Sequence, residues 1–169
     1  MQRFITLGLA LYSYFLIETN ISNLPARIPT HFNFAGQADG WGSRDTLWWL
    51  LLVQALASGT FLLVPLMARR FPGAVNVGSR KLTDFTGQQR AQILPLLDGM
   101  MGSLSVLVAG LFAILLHETI RAALSSHARL PPWPLALFLA GMAVTIIYYM
   151  RRVFRMGKEK NPEQSGEPA

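Results

Sequence analysis

Three histidines and a set of carboxylates are the residues whose chemistry stands out. His31, His117 and His127 lie with Glu18, Asp39, Asp45 and Glu118 in segments bordering long apolar runs. Imidazole nitrogens and carboxylate oxygens together are ligand types that hold Zn²⁺. No spacing among them imposes a metal geometry, and each has a simpler role. His31 can bond a backbone carbonyl, Asp39 can support its own turn, and His117-Glu118 can be the polar end of a membrane span. The run from His117 to Arg121 starts like the zinc-protease helix motif, but Arg121 occupies the place of the second His, leaving that face one ligand short. Neither a Gly-x-Ser-x-Gly elbow nor a Gly-x-x-x-x-Gly-Lys phosphate loop occurs. Cysteine is absent, which excludes disulfides and thiolate metal sites. The expectation is a non-enzymatic chain with no catalytic residue, cofactor or resident metal. The alternative is a metal- or proton-dependent membrane enzyme or small transporter using Glu18, His31, Asp39 and His117.

The elements that must position these residues are membrane helices. The 169 residues are 51% hydrophobic and only 14% charged, against about 25% charged in ordinary globular chains. About 20 apolar residues in a helix cross a hydrocarbon core of roughly 30 Å. The apolar runs predict an all-α, four-helix transmembrane bundle with spans near 4–21, 47–67, 97–117 and 133–150. The first is the shortest and must continue through Glu18. No small-residue cleavage site follows it, so it reads as an uncleaved helix and not a secretory signal. The four spans make one membrane domain over 1–155, with an outer cap at 22–46 and a disordered cytoplasmic tail over 156–169.

Lys and Arg set the expected orientation. Eleven fall on the side of the termini: Arg3, then Arg69, Arg70, Arg80, Lys81 and Arg90, then Arg151, Arg152, Arg155, Lys158 and Lys160. Four fall opposite: Arg27, Arg44, Arg121 and Arg129. Both termini are therefore expected in the cytoplasm. The net charge of +6 then reports topology, and nucleic acid is not an expected partner. Trp48, Trp49 and Trp133 would lie at the outer interface, with Phe71, Tyr148 and Tyr149 at the inner one. Asp98 is expected to open the third helix, and Glu18 to snorkel to the outer interface or pair with Arg27. Small residues four apart should mark helix contacts: Ala55 with Gly59, Ser105 with Ala109 and Ala113, Ala136 with Ala140, and Gly141 with Thr145. Between the second and third spans, Leu82–Leu94 suggests a short helix capped by Thr83 or Asp84.

The segment Leu24–Ser43 is punctuated like a folded object. Pro25 and Pro29 disfavour helix and push Leu24 and Ile28 toward extended backbone. Alternation places Ile28, Thr30, Phe32 and Phe34 on one side of a short extended segment, with His31 and Asn33 on the other. Ala35-Gly36 and Asp39-Gly40 are turn signals. Ser43 is the expected N-cap of the next span, and Trp41 an interfacial anchor.

The order Leu-Pro-x-x-Ile-Pro-x-His-Phe-Asn-x-x-Gly-x-x-Asp-Gly-Trp-Gly-Ser, complete from Leu24 to Ser43, resembles the signature of a bacterial membrane domain of unknown function. That domain forms the N-terminal part of the SdpI-like immunity proteins, which protect against a secreted killing peptide. Arg44 stands where the family usually shows Lys. Val75–Leu82 resembles the family's later Asn-Ile-Pro-x-x-Lys stretch, with Gly78 in place of the proline. The immunity proteins also carry a further membrane domain beyond the four spans recognised here. The resemblance implies a multi-pass protein of the bacterial cytoplasmic membrane. Its partners would be the lipid bilayer and a secreted peptide toxin or another membrane protein, in toxin immunity or membrane-stress signalling. The residues expected to bind the ligand or form the cap are His31, Asn33, Gly36, Asp39, Gly40, Trp41 and Arg44.

Overall fold

The computed structural model describes residues 1–125 and 129–158. Helix α1 (Gln2–Asn20) leads into a two-stranded antiparallel hairpin, β1 (Arg27–Phe32) and β2 (Ala38–Ser43). Then come α2 (Thr46–Arg70), a second small hairpin of β3 (Asn76–Val77) and β4 (Arg80–Lys81), α3 (Gly87–Leu124) and α4 (Trp133–Lys158). Helices α2, α3 and α4 are long and apolar enough to cross a membrane. The protein is mostly helical, but its cap is a β-hairpin, which departs from the all-α expectation.

Helix α3 is the shared wall and packs against α1, α2 and α4. Its 38 residues reach about 57 Å at ~1.5 Å per residue, well beyond a hydrocarbon core. The expected span at 97–117 is therefore only its middle. Thr86 starts it: its Oγ1 accepts from Gln89 N at 3.3 Å, and Gln89 Oε1 accepts from Thr86 N at 2.9 Å. That reciprocal pair is a capping box, legible as Thr-x-x-Gln. The expected cap at Thr83 or Asp84 is replaced, because Leu82–Asp84 forms a separate 3₁₀ turn. Pro95 does not stop α3, so Asp98 lies more than two turns inside the helix and does not open it. His117 and Glu118 likewise lie within α3, which runs on to Leu124 beyond the expected end of the span.

The bundle is apolar outside, the distribution suited to lipid, and its interior mixes apolar side chains with small polar ones. Leu52, Val53, Leu56, Leu63 and Leu66 of α2 are exposed, as are Leu135, Leu137, Val144 and Ile147 of α4. Helix α1 carries a similar exposed face in Phe4, Leu7, Leu11 and Phe15. Buried between α1, α2 and α3 is a ladder of small polar groups. Thr6 Oγ1 and Ser105 Oγ share a hydrogen bond at 3.0 Å, and Ser105 Oγ donates to Ser58 O at 2.9 Å. Ser58 Oγ donates to Gln54 O, and Gln54 Nε2 to Ala109 O at 3.1 Å. Such cross-helix bonds hold helices together where lipid gives no hydrophobic incentive to associate.

Ser105, Ala109 and Ala113 are all buried, as their spacing suggests. In α2 the packed pair is Gln54 and Ser58 instead of Ala55 and Gly59; Ala55 is exposed, and nothing approaches Gly59. In α4, Ala136 and Ala140 are exposed, while Gly141 meets Leu107. The start of α1, the end of α2, Gly99 of α3 and Tyr149 of α4 share one end of the bundle. That grouping agrees with the expected pairing of charged segments. His127 and the tail beyond Lys158 lie outside the described residues.

Candidate functional site

The hairpin sits at the opposite end and is fixed at its root, its middle and its tip. At the root, Arg44 donates from Nη1 to Leu24 O (2.9 Å) and from its backbone N to Ala26 O (3.2 Å). In the middle, Ile28 is fully buried in a cluster with Ile17, Leu24, Leu47, Leu116 and Ile120. At the tip, Leu130 N donates to Gly36 O at 2.8 Å, and Gln37 bridges Arg129. Gly36 has φ +73°, and a Cβ there would stand 2.2 Å from Leu130 O. Only glycine meets both demands.

Asn33 closes the turn. Its Oδ1 accepts from Ala35 N and Gln37 N, each at 3.0 Å, and its backbone N donates to Gln37 O. This is the Asx geometry in which Asn replaces a backbone acceptor. The Asn33 carbonyl group of the side chain is thus used inside the cap.

The strand register contains two offset bulges. Pairing runs Ile28 to Gly42, Pro29 to Trp41, His31 to Gly40 and Phe32 to Ala38. Thr30 on one strand and Asp39 on the other are left out of register, and bulges re-aim side chains. Simple alternation therefore fails: Ile28 and Pro29 are both buried, whereas Thr30 and His31 are both exposed. His31 lies directly over Gly40, where a Cβ would come within 2.8 Å of its own Cβ. Gly42 makes the same room for Thr30, whose Cγ2 would be 2.9 Å away. Across this flat strand His31 Nδ1 meets Asp39 Oδ1 at 2.5 Å. The ring bonds a carboxylate, not the backbone carbonyl anticipated from sequence, and its second nitrogen points away from that bond.

Trp41, two residues along β2 from Asp39, is 51% exposed, and its carbonyl accepts from Arg27 Nη2 at 3.3 Å. Phe34 at the hairpin tip is fully exposed, although alternation groups it with the buried Ile28. Thus His31, Asp39 and Trp41 face outward, while Asn33, Gly36, Gly40 and Arg44 shape the mount. Ser43 is not the α2 N-cap. Asp45 occupies that position, and Ser43 Oγ donates to Asp45 Oδ2 at 2.9 Å.

The wider set does not converge. His117 Nδ1 pairs with Tyr12 Oη at 3.2 Å, and Glu118 is held by Arg121. Arg27 is turned to Trp41 and not to Glu18, which is exposed. Among the described residues, no three His, Cys, Asp or Glu side chains gather as a metal site. Outside the cap, the sequence also gave no sign that Asp98 joins Arg3 and Arg69 at the far end of the bundle.

A family model described as "Domain of unknown function (DUF1648)" matches residues 4–56. That stretch takes in α1, the whole hairpin and the first part of α2. No curated protein and no solved structure matches the chain.

Proposed function

We propose that this is a non-enzymatic, four-span protein of the bacterial cytoplasmic membrane that recognises a peptide or envelope ligand through its hairpin cap. In this reading α1 is the fourth span, both termini are cytoplasmic, and the cap faces outward. The observation that carries it is the His31–Asp39 pair, exposed with Trp41 on a hairpin secured at root, middle and tip. Such a surface supplies a hydrogen-bonding pair and an aromatic contact at little ordering cost, because its backbone is already fixed. The likeness of Leu24–Ser43 to the SdpI-like immunity proteins supports toxin immunity or membrane-stress signalling as the process served.

The test is membrane depolarisation of a sensitive bacterium challenged with secreted membrane-active killing peptides. Cells express the wild type or His31→Ala/Asp39→Ala at matched levels. Protection by the wild type alone is the expected result. Equal protection by the double variant removes the pair from the function, and no protection by either removes the immunity role.

A further inference from the structure

At the end of the bundle away from the hairpin, α1, α2 and α3 frame a cavity of about 530 Å³. Its size is that of a small-molecule site, which runs about 300–1,000 Å³. Arg3 and Arg69 line it together with Asp98. Arg3 Nη2 lies 3.2 Å from Asp98 Oδ1, and Arg69 Nη2 lies 3.1 Å from Asp98 Oδ2.

The stoichiometry matters: one carboxylate is shared by two guanidiniums, so one positive charge is left uncancelled. Each guanidinium carries five N–H donors, and each spends one on Asp98. Both arginines are about half exposed. Their remaining donors are available in a site that Met1, Phe61, Leu62, Pro65 and Pro95 also line. Gln2 closes one side, donating from Nε2 to Gly99 O at 3.2 Å and Ser103 Oγ at 2.8 Å. Gly102 makes space for Gln2, since a Cβ there would fall 2.0 Å from its Oε1. Phe4 and Ile5 of α1 and Leu63 and Leu66 of α2 are exposed on the neighbouring helix surfaces.

We infer that this cavity binds a net-anionic phosphate group, with Arg3 and Arg69 as its donors and Asp98 holding the two guanidiniums in place between occupancies. Planar guanidinium forks match phosphate oxygens in geometry as well as charge. Guanidinium donors in one cavity with the side chains of Phe61, Leu62, Pro65 and Pro95 suit the head of an anionic phospholipid, and a soluble phosphate would use the same donors. This site is separate from the cap, and its fate does not depend on the reading given for the cap.

The test uses the full chain in an uncharged detergent. Phosphatidylglycerol, phosphatidylcholine and inorganic phosphate are titrated separately, with bound species read by native mass spectrometry and by thermal shift. Phosphatidylglycerol is expected to bind roughly tenfold more tightly than phosphatidylcholine, because both present the same phosphodiester oxygens but the choline ammonium is repelled by the uncancelled positive charge of the site. Arg3→Gln/Arg69→Gln should remove that preference, and Arg151→Gln/Arg152→Gln/Arg155→Gln in α4 should keep it. Asp98→Asn releases both guanidiniums and should raise anion affinity, which provides a readout if the double arginine variant fails to fold. Phosphatidylglycerol held against excess inorganic phosphate assigns the site to lipid, and displacement by phosphate assigns it to a soluble source. Equal binding of the two lipids with no phosphate binding, an unchanged preference in the folded double variant, or weaker anion binding in Asp98→Asn overturns the inference.

Discussion

Gly36 and Gly78 form a natural comparison. Both have positive φ, +73° and +66°, a region costing other residues about 1–2 kcal/mol. Gly78 has open space around it, whereas Gly36 faces the Leu130 carbonyl. Gly78→Ala should therefore cost about 1 kcal/mol in thermal unfolding, the backbone term alone. Gly36→Ala should cost more than about 2 kcal/mol, because backbone must also move, and should speed amide exchange at Leu130. Equal effects would mean that the seam between hairpin tip and α4 approach contributes nothing. The same geometry explains a sequence departure: proline fixes φ near −65° and could not occupy position 78 in this turn. Gly36 was legible as turn chemistry from sequence, but Asp39-Gly40, read as a second turn, lies inside β2, and Asn33, read as part of the extended segment, closes the turn. The His31–Asp39 contact was not legible, because it depends on two bulges that period-two alternation has no means of showing.

Among the elements, the helices were read from their apolar runs, but their contact faces were read only in part. Small-residue spacing found the buried stripe of α3 and missed that of α2, where Gln54 and Ser58 do the packing. A glutamine in an apolar run looks like an interruption until its partner carbonyl is known. Gln54 Oε1 has no hydrogen-bond partner among the described residues, while Gln54 Nε2 is bonded to Ala109. Replacing it with Leu removes one good bond and one unpaired buried acceptor together. Cross-helix bonds in membranes average about 0.6 kcal/mol and reach about 1.7. Gln54→Leu should thus change unfolding in detergent by less than about 1.7 kcal/mol. Ser105→Leu, which adds bulk where α1, α2 and α3 meet, should cost about 1–3 kcal/mol. Greater damage from Gln54→Leu than from Ser105→Leu would show that hydrogen bonding, and not close packing, holds the three helices. The continuity of α3 escaped the sequence reading because Pro95 resembles a stop, and the Thr86–Gln89 box that starts the helix lies nine residues earlier.

For the whole molecule, the expected sidedness can be tested cleanly because the chain has no native cysteine. Ser43→Cys, at the end of β2 in the first hairpin, should react with an impermeant maleimide in intact cells. Ser79→Cys, in the second hairpin, should react only after permeabilisation. The reverse pattern would invert the proposed orientation and place the cap inside. Charge counting anticipated which segments share an end because it depends only on loop order, and that order is carried directly by the chain. The cap's attachment to the segment before α4 was invisible for the opposite reason, being a contact between distant parts of the sequence. That attachment also sets a schedule for biogenesis. Gly36 leaves the ribosome roughly 90 residues before Leu130, about 5–20 s earlier at ~5–20 residues per second. During that interval α1, the hairpin and the start of α2, the portion that the family model matches, have emerged without the strand segment that seals the hairpin tip. Translation kinetics, and any chaperone waiting at the translocon, therefore bear on whether the cap closes on its own chain or on another.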